Sequence, residues 1–325
     1  MDLLVLGGTR FVGRALVADA LARGWRVTAL HRGVTGRLPD GVEVLTADRT
    51  DGAALAAAAD GRTWDLAIDT WAGAPRVATA TAAALQGRVG HLGYVSSESV
   101  YVWGEHVDES SPVVDSDTRL GDEAAYDVAK RGSELGIVAH FPHAVLARAG
   151  LILGPHEDIG RLPWWLGRIA AGGEVVAPGR PDRPLQYVDA RDLAAFLLDA
   201  VAGDVAGPVD VVSRSGHATT RTLLEACIAA TGSDATLRWV DESTLAAAGV
   251  QPWIQLPCWV PESGEYAGFL EGDPARAAAL GLRCRPVAET VADTWAWMQT
   301  EGVAPQRPDR PVHGLPAELE RELLG

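Results

Sequence analysis

Near its amino terminus the chain reads Leu3-Leu4-Val5-Leu6-Gly7-Gly8-Thr9-Arg10-Phe11-Val12-Gly13: four apolar residues, a glycine pair, and a third glycine five positions later. A short apolar run of this kind fits a strand covered on both faces. Gly7 and Gly8 permit the tight turn that ends it, since glycine alone enters positive φ without steric cost. From Arg10 to Arg23, residues Phe11, Val12, Ala15 and Leu16 recur at helical spacing. The unit is therefore strand, glycine turn, helix.

The alternation continues outward. VTAL (27–30), EVLTAD (43–48), LAID (66–69), HLGYVS (91–96) and AVLARA (144–149) read as further buried strands, with helical patterns over 51–59, 74–85 and 125–139. This predicts an α/β fold with a doubly wound parallel sheet. The second half is less regular. Prolines 155, 163, 178, 181 and 184 mark loops; helices are expected near 192–201, 220–231, 273–280 and 288–300, and strands near 185–188, 208–212 and 236–240. The expected organisation is a core over 1–155 and a smaller irregular α+β lobe over 156–325. Within that second part, 184–201 returns to the core and 302–325 forms a loose tail with a short terminal helix. Ligands of open α/β sheets bind at the carboxyl edge of the strands, which such a lobe would cover.

Composition narrows the function. The 325 residues carry 28 basic against 43 acidic side chains, a net charge of −15. That balance disfavours nucleic acid, which needs a basic stripe, and anionic membrane surfaces. No run approaches the ~18 apolar residues of a membrane helix, and the first residues lack a signal-peptide pattern, so a cytoplasmic protein is expected. Three widely spaced cysteines suggest neither a disulfide framework nor a metal site. Lys130 is the only lysine, and asparagine is absent.

The glycine turn has a chemical use. Backbone N–H groups at a helix start, approached closely because glycine has no side chain, hold a pyrophosphate. Tyr126-Asp-Val-Ala-Lys130 lies on a predicted helix, where the i, i+4 spacing puts phenol and ammonium on one face. A phenol with a pKa of ~10 is a poor base at neutral pH, and a nearby ammonium favours the phenolate. In a chain that otherwise uses arginine throughout, the single lysine points to a task that needs a compact charge. Ser97, at the end of the fifth strand in Ser96-Ser97-Glu98-Ser99-Val100-Tyr101, could polarise a substrate oxygen.

In combination these segments resemble the extended short-chain dehydrogenase/reductase superfamily, the NAD(P)-dependent epimerase/dehydratase group. Gly7 and Gly13 match its first and third fingerprint glycines, with Arg10 in place of the second; Ser97, Tyr126 and Lys130 match its catalytic serine, tyrosine and lysine. The resemblance covers 1–155 well and 184–200 fairly. It implies a Rossmann-type core, a nicotinamide cofactor held by Gly7, Gly8, Thr9, Arg10, Phe11, Val12, Gly13, His31, Arg32, Asp48 and Lys130, and a small-molecule substrate. It also leaves the protein a monomer or homodimer. Where NAD-using relatives carry an acid at the end of the second strand, this chain has His31 and Arg32. That favours NADP(H), with NAD(H) possible, and Arg10 is expected to point to the same region.

On the substrate side the resemblance suggests Glu98, Arg148 and Gln186; Trp164 is a candidate because eleven tryptophans exceed ordinary usage, and Trp164, Trp165, Trp253 and Trp259 in the irregular half could form aromatic walls for a sugar or a flat apolar substrate. Glu98 stands where dehydratases of the group carry an acidic Asp, but the following Glu is Ser99 here, and a loop carboxylate facing solvent or Arg131 is expected. Leu151 replaces an Asn that touches sugar nucleotides, and Leu185 replaces an Arg that clamps their pyrophosphate, with Arg183 close by. His156-Glu157-Asp158 reads as a loop, and no metal is expected. The leading expectation is an NADP(H)-dependent oxidoreductase moving hydride between nicotinamide and a carbonyl or secondary alcohol, with Tyr126 as the proton carrier. The alternatives are a nucleotide-sugar epimerase or 4,6-dehydratase with tightly held NAD, and a non-catalytic NADP(H)-binding protein.

Overall fold

The computed structural model describes residues 1–104, 107–266, 268–303, 305–308 and 310–325, without the side chain of Glu265. Its strands are β1 (Asp2–Leu6), β2 (Arg26–His31), β3 (Glu43–Thr46), β4 (Trp64–Asp69), β5 (Val89–Ser97), β6 (Val145–Ala149), β7 (Ile152–Leu153), β8 (Glu174–Pro178), β9 (Pro184–Leu185), β10 (Val188–Asp189), β11 (Gly207–Val211), β12 (Ala218–Thr219) and β13 (Thr236–Val240). Among the described residues, seven strands form one parallel sheet in the order β11-β6-β5-β4-β1-β2-β3. Each of the six strands read from the first half takes its place in it. The seventh comes from the second half: the strand expected near 208–212 is the β11 edge of the central sheet, paired Val209 to Ala147.

The helices are α1 (Phe11–Ala22), α2 (Gly52–Ala58), α3 (Pro75–Leu85), α4 (Tyr126–His140), α5 (Arg161–Ala170), α6 (Ala190–Ala202), α7 (Thr220–Thr231), α8 (Glu242–Ala247), α9 (Ala275–Ala279), α10 (Val287–Glu301) and α11 (Ala317–Leu324). Helices α1 and α6 cover one sheet face over Leu3, Val5, Leu16, Leu193 and Leu197. Helices α2, α3 and α4 cover the other over Leu4, Leu6, Leu55, Leu85 and Ile137. Burial on both faces is why these strands read as continuous apolar runs.

A separate apolar core holds the lobe together. Leu166, Trp165 and Ile169 of α5 meet Leu224 and Cys227 of α7, Val291 and Trp297 of α10, and the parallel pair β8–β13. Helix α5, strand β8 and helix α8 were not anticipated. Helix α5 contains Pro163 and two tryptophans, and β8 is a five-residue run with no alternation, so neither shows a clean period. The carboxyl-terminal segment is tied down more firmly than its composition suggests. Leu315 is buried, and the Glu320 carboxylate of α11 accepts from Arg168 Nε at 2.7 Å and from Val176 N at 3.3 Å. No helix among the described residues is long and apolar enough to cross a membrane.

Candidate functional site

A cleft of about 890 Å3 runs along the carboxyl edge of the sheet and under the lobe. At one end is the glycine turn. Gly7 adopts φ +99°, and a Cβ there would run into the Thr70 hydroxyl; a Cβ on Gly13 would run into the Gly7 carbonyl. The first turn of α1 thus sits directly on the loop, and only glycine allows it. Phe11 enters the helix at φ +26°, a strained value for a residue with a side chain. Gly7, Thr9, Arg10, Phe11, Val12 and Gly13 line the cleft. Gly8 does not: it faces inward, where a Cβ would stand 3.0 Å from Val17 and 3.4 Å from Ala29.

Next come His31, Arg32 and Asp48, all on the cleft wall. His31 Nδ1 accepts from Gly33 N at 2.9 Å, its Nε2 is buried with no partner among the described residues, and burial lowers its pKa. Asp48 accepts from Thr50 N and Oγ1, at 2.9 and 2.8 Å, and closes a turn at the strand end. Those bonds, with Arg32 nearby, hold its carboxyl below the usual range. Arg10 departs from expectation. Its guanidinium reaches across to Asp158 at 3.2 Å and so bridges the turn to the lobe.

The middle of the cleft gathers Ser97, Glu98, Tyr126 and Lys130. Strand β5 delivers Ser97, whose Oγ accepts from Ser99 N at 3.2 Å and donates to Ser99 Oγ at 3.0 Å. Helix α4 delivers Tyr126 at its first position and Lys130 one turn on. Lys130 is buried; its Nζ donates to Trp71 O and Val95 O, both at 2.7 Å, and lies 4.7 Å from the centre of the Tyr94 ring. Burial pushes its pKa down to about 7. Arg310 and Arg307 add to that shift, and Asp69 and Glu134 oppose it.

Glu98 overturns its expectation. It neither faces solvent nor meets Arg131; it is buried at the cleft wall with Oε1 lacking a partner among the described residues. Arg131 pairs with Glu134 instead, at 3.0 Å. Burial, reinforced by Asp210 and Glu109, pushes the Glu98 carboxyl well above its ordinary range, which favours the protonated acid.

The structure does not bring the other three substrate-side residues to the cleft. Arg148 forms a buried pair with Glu134, two bonds of 2.9 Å, and stacks on Tyr101 at 4.8 Å. Glu134 also accepts from Ser96 Oγ at 2.7 Å, so this network braces β5 and β6 against α4. Gln186 is buried and donates to Ser213 O and Gly272 O, at 2.9 and 2.8 Å. Trp164 packs edge-on against Trp165, ring centres 4.7 Å apart, in the lobe core. All three are held by partners away from the cleft lining, which a family motif alone does not reveal. Leu185 is buried in the lobe core, Leu151 lines the cleft, and Arg183 is buried beside Pro261 O and Glu242 rather than in the cleft. The His156-Glu157-Asp158 loop has a structural purpose. Glu157 accepts from the backbone N of Arg161 and Leu162 and so caps α5, while Asp158 takes Arg10.

Several cleft residues escaped the sequence reading. Arg49 pairs with Asp69 through two bonds of 2.7 and 2.5 Å and stacks on Trp71 at 4.9 Å. Trp103, Trp253, Tyr266 and Phe269 line the lobe end, with Phe269 4.7 Å from Trp103 and 5.1 Å from Trp253. Arg307 and Arg310 come from the carboxyl-terminal segment, and Arg310 lies 4.6 Å from the centre of the Tyr126 ring. Of the aromatic group only Trp253 was among the candidates drawn from the excess of tryptophan, and nothing in the local sequence of the tail marks its arginines.

The fold is shared with known proteins. The fold is similar to that of the Bordetella bronchiseptica enzyme WbmH in complex with NAD+, at 18% identity, TM-score 0.72, over 93% of this chain and 99% of that one. It is also similar to the Thermus thermophilus UDP-glucose 4-epimerase complex with NAD (20%, TM-score 0.66, 92% and 99%). A third is a UDP-N-acetylglucosamine 4-epimerase from Methanobrevibacter ruminantium in complex with UDP-N-acetylmuramic acid (17%, TM-score 0.68, 92% and 98%). No curated protein sequence matches the chain. Residues 3–212 match the model of the NAD dependent epimerase/dehydratase family, a stretch that holds the glycine turn, Ser97, Tyr126 and Lys130. With that match over most of the chain and a Rossmann-like parallel sheet beneath the cleft, the protein belongs to the NAD dependent epimerase/dehydratase family of enzymes.

Proposed function

We propose that the protein moves hydride between a nicotinamide dinucleotide and an alcohol or carbonyl carbon of a small-molecule substrate of the nucleotide-sugar class. The observation that carries this reading is one continuous cleft joining the glycine turn, Ser97, Tyr126, Lys130 and the aromatic lobe. The residues fit a dinucleotide. A Cβ at Gly7 would collide with the Thr70 hydroxyl and one at Gly13 with the Gly7 carbonyl, and His31 offers a buried Nε2 without a partner among the described residues. Gly7, Thr9 and the start of α1 would hold the pyrophosphate, and His31, Arg32 and Asp48 the adenosine end. Once bound, the nicotinamide supplies or accepts hydride.

The chain's own groups do the rest. Ser97 Oγ would orient the substrate oxygen, and Tyr126 would give or take its proton. Lys130 has two of its three hydrogens on backbone carbonyls, which fixes the ammonium and aims the third. The lobe, bridged to the turn by Arg10 and Asp158, would exclude water. Arg32, with no carboxylate at the end of β2, supports NADP(H); the NAD-bound relatives support NAD.

One observation favours a dehydratase within this class. Glu98 is a buried carboxyl at the cleft wall whose Oε1 has no partner among the described residues, and burial raises its pKa, which suits it to donate a proton to a departing hydroxyl.

The test is to release and identify any cofactor that co-purifies, then assay UDP-sugars with none added. Bound NAD with conversion of a UDP-sugar supports the reading. Turnover that needs stoichiometric NADPH, with UDP-sugars inert, would replace it with a simple reductase.

A further inference from the structure

The bonds that fix the single lysine lead outward to a buried ion pair that the proposed chemistry leaves unused. Lys130 Nζ donates to Trp71 O and Val95 O, both at 2.7 Å. Val95 sits within β5, where pairing with β6 fixes its peptide. Trp71 sits in the loop between β4 and α3, outside any ladder, so its carbonyl needs another hold.

Arg49 and Asp69 supply that hold. Asp69 ends β4, and Arg49 follows β3. Arg49 Nη1 donates to Asp69 Oδ1 at 2.7 Å and Nη2 to Oδ2 at 2.5 Å, a two-pronged pair with both side chains buried. Arg49 Nε donates to Thr81 Oγ1 of α3 at 3.3 Å, and the guanidinium lies 4.9 Å from the centre of the Trp71 ring. Asp69 Oδ1 also accepts from Trp71 N at 2.8 Å, and the indole Nε1 donates to Ala74 O at 3.0 Å. Trp71 O then accepts from Lys130 Nζ at 2.7 Å and from Tyr94 OH at 2.9 Å, which uses both of its lone pairs.

We propose that Arg49 and Asp69 are positioning residues for Lys130: their ion pair clamps the Trp71 peptide, whose carbonyl holds the ammonium one helical turn from Tyr126.

A buried ion pair loses about as much to desolvation as it gains in attraction, so well-packed apolar residues would stabilise the fold as well. Apolar residues could not fix the direction of the Trp71 N–H, nor set a carboxylate near the ammonium. The carboxylate matters because burial works against the charge on Lys130 and lowers its pKa to about 7. Asp69, at the end of β4, is the strongest charge opposing that shift, and Glu134 on α4 helps; Arg310 and Arg307 of the carboxyl-terminal segment add to the lowering. Strand β5 presents the face of Tyr94, whose phenol burial holds in the neutral form, and α4 also carries Tyr126. Asp69 therefore acts on the lysine twice, through the Trp71 peptide and through its own charge.

This inference rests on the proposed reading for what Lys130 does, and not for how it is held. The experiment incorporates lysine isotopically labelled at Cε into the full chain. One lysine gives one side-chain signal by NMR, and its shift follows the ammonium through a pH titration that needs neither cofactor nor turnover. Wild type should titrate at about 7. Asp69→Asn should lower that midpoint by about 1 unit and lower kcat at pH 7 by about 5-fold. Arg49→Gln leaves the Asp69 carboxylate to the lysine and should raise the midpoint. Removing one partner strands a buried group, so the double variant Arg49→Gln/Asp69→Asn, which strands no charge, keeps the test open if a single variant fails to fold. It should show the lowered midpoint of Asp69→Asn. Unchanged midpoints in the folded variants, or shifts of one sign in Arg49→Gln and Asp69→Asn, would overturn the proposal. So would an Arg49→Gln protein that loses cofactor affinity while Lys130 titrates as in wild type, since Arg49 would then serve the cofactor alone. Opposed shifts in a protein that turns over no UDP-sugar would sink the nucleotide-sugar reading and leave the clamp standing.

Discussion

The two ends of the cleft are built on different principles. The glycine-turn end is made of backbone, from eleven consecutive residues, and its geometry follows from missing side chains at Gly7 and Gly13. The lobe end is made of side chains from far apart in the chain: Trp103 after β5, Trp253 and Phe269 beyond α8, Arg307 and Arg310 beyond α10. A site made of contiguous backbone has a local signature. A site made by convergence has none, because no spacing relates residues 103, 253 and 310 until the chain has folded. Between the two ends stand Tyr126 and Lys130, set by a single helix and touched by both: Lys130 bonds the carbonyls of Trp71 and Val95 in the core, and Tyr126 carries Arg310 of the carboxyl-terminal segment.

Substitutions can separate these ends. Tyr126→Phe should lower kcat by 1000-fold or more, to an order of magnitude, while cofactor affinity stays within a few fold. Retained turnover would remove Tyr126 from the proposed chemistry and leave the cleft as a binding site only. Gly13→Ala should be almost as damaging and act at the other end. Its methyl would push α1 off the turn, so calorimetry should find cofactor binding weakened by about 100-fold or more. Lys130→Arg tests the junction. A guanidinium is bulkier and cannot place compact donors between Trp71 O and Val95 O, so the expected outcome is a drop in kcat of about 100-fold with a lower melting temperature. Wild-type kcat and stability in this variant would mean the single lysine is incidental.

Smaller effects sharpen the comparison. Arg32→Ala should weaken NADPH binding about 10-fold more than NADH binding. Equal losses would mean that Arg32 covers the adenosine without reading its 2′-phosphate. The smallest effect lies under the cleft, at Asp210. Its Oδ1 accepts from Tyr101 OH at 2.6 Å, and burial, with Glu109 and Asp108 nearby, raises its carboxyl to about 7. A carboxyl with a raised native pKa binds more protons folded than unfolded, so its contribution to stability is full below the unfolded value near ~4 and is lost as pH rises toward 7. Melting temperature should therefore fall between pH 4 and 7, and Asp210→Asn should flatten that fall. An unchanged slope would point to Glu98, whose pKa is also raised, as its source.

How much was legible in advance follows the same division. The six first-half strands could be read from their apolar runs because the sheet is covered on both faces, and the turn and Tyr-x-x-x-Lys spacing could be read because each is local. Strand β11 was expected as a strand but not as the seventh of the sheet, since pairing partners are not encoded in a strand's own residues. Arg148 and Gln186 show the opposite failure. Each sits in a segment that matches a family motif, yet each points into the interior, one paired with Glu134 and the other with two backbone carbonyls. A loop carboxylate was the expectation for Glu98. It became a buried acid because Gly150 and Gly272 pack closely against it and bring no compensating donor.

The sequence by itself determined the strand-and-helix alternation, the glycine turn, and the register of Tyr126 and Lys130 on one helix face, because these depend on periodicity and local sterics. Only the tertiary structure decided which charges reach the cleft. Helix packing sealed Arg148 against Glu134, and the fold carried Arg307 and Arg310 back across more than 170 residues to Tyr126. Electrostatic partnership is set by distance in space, and a sequence states distance only along the chain.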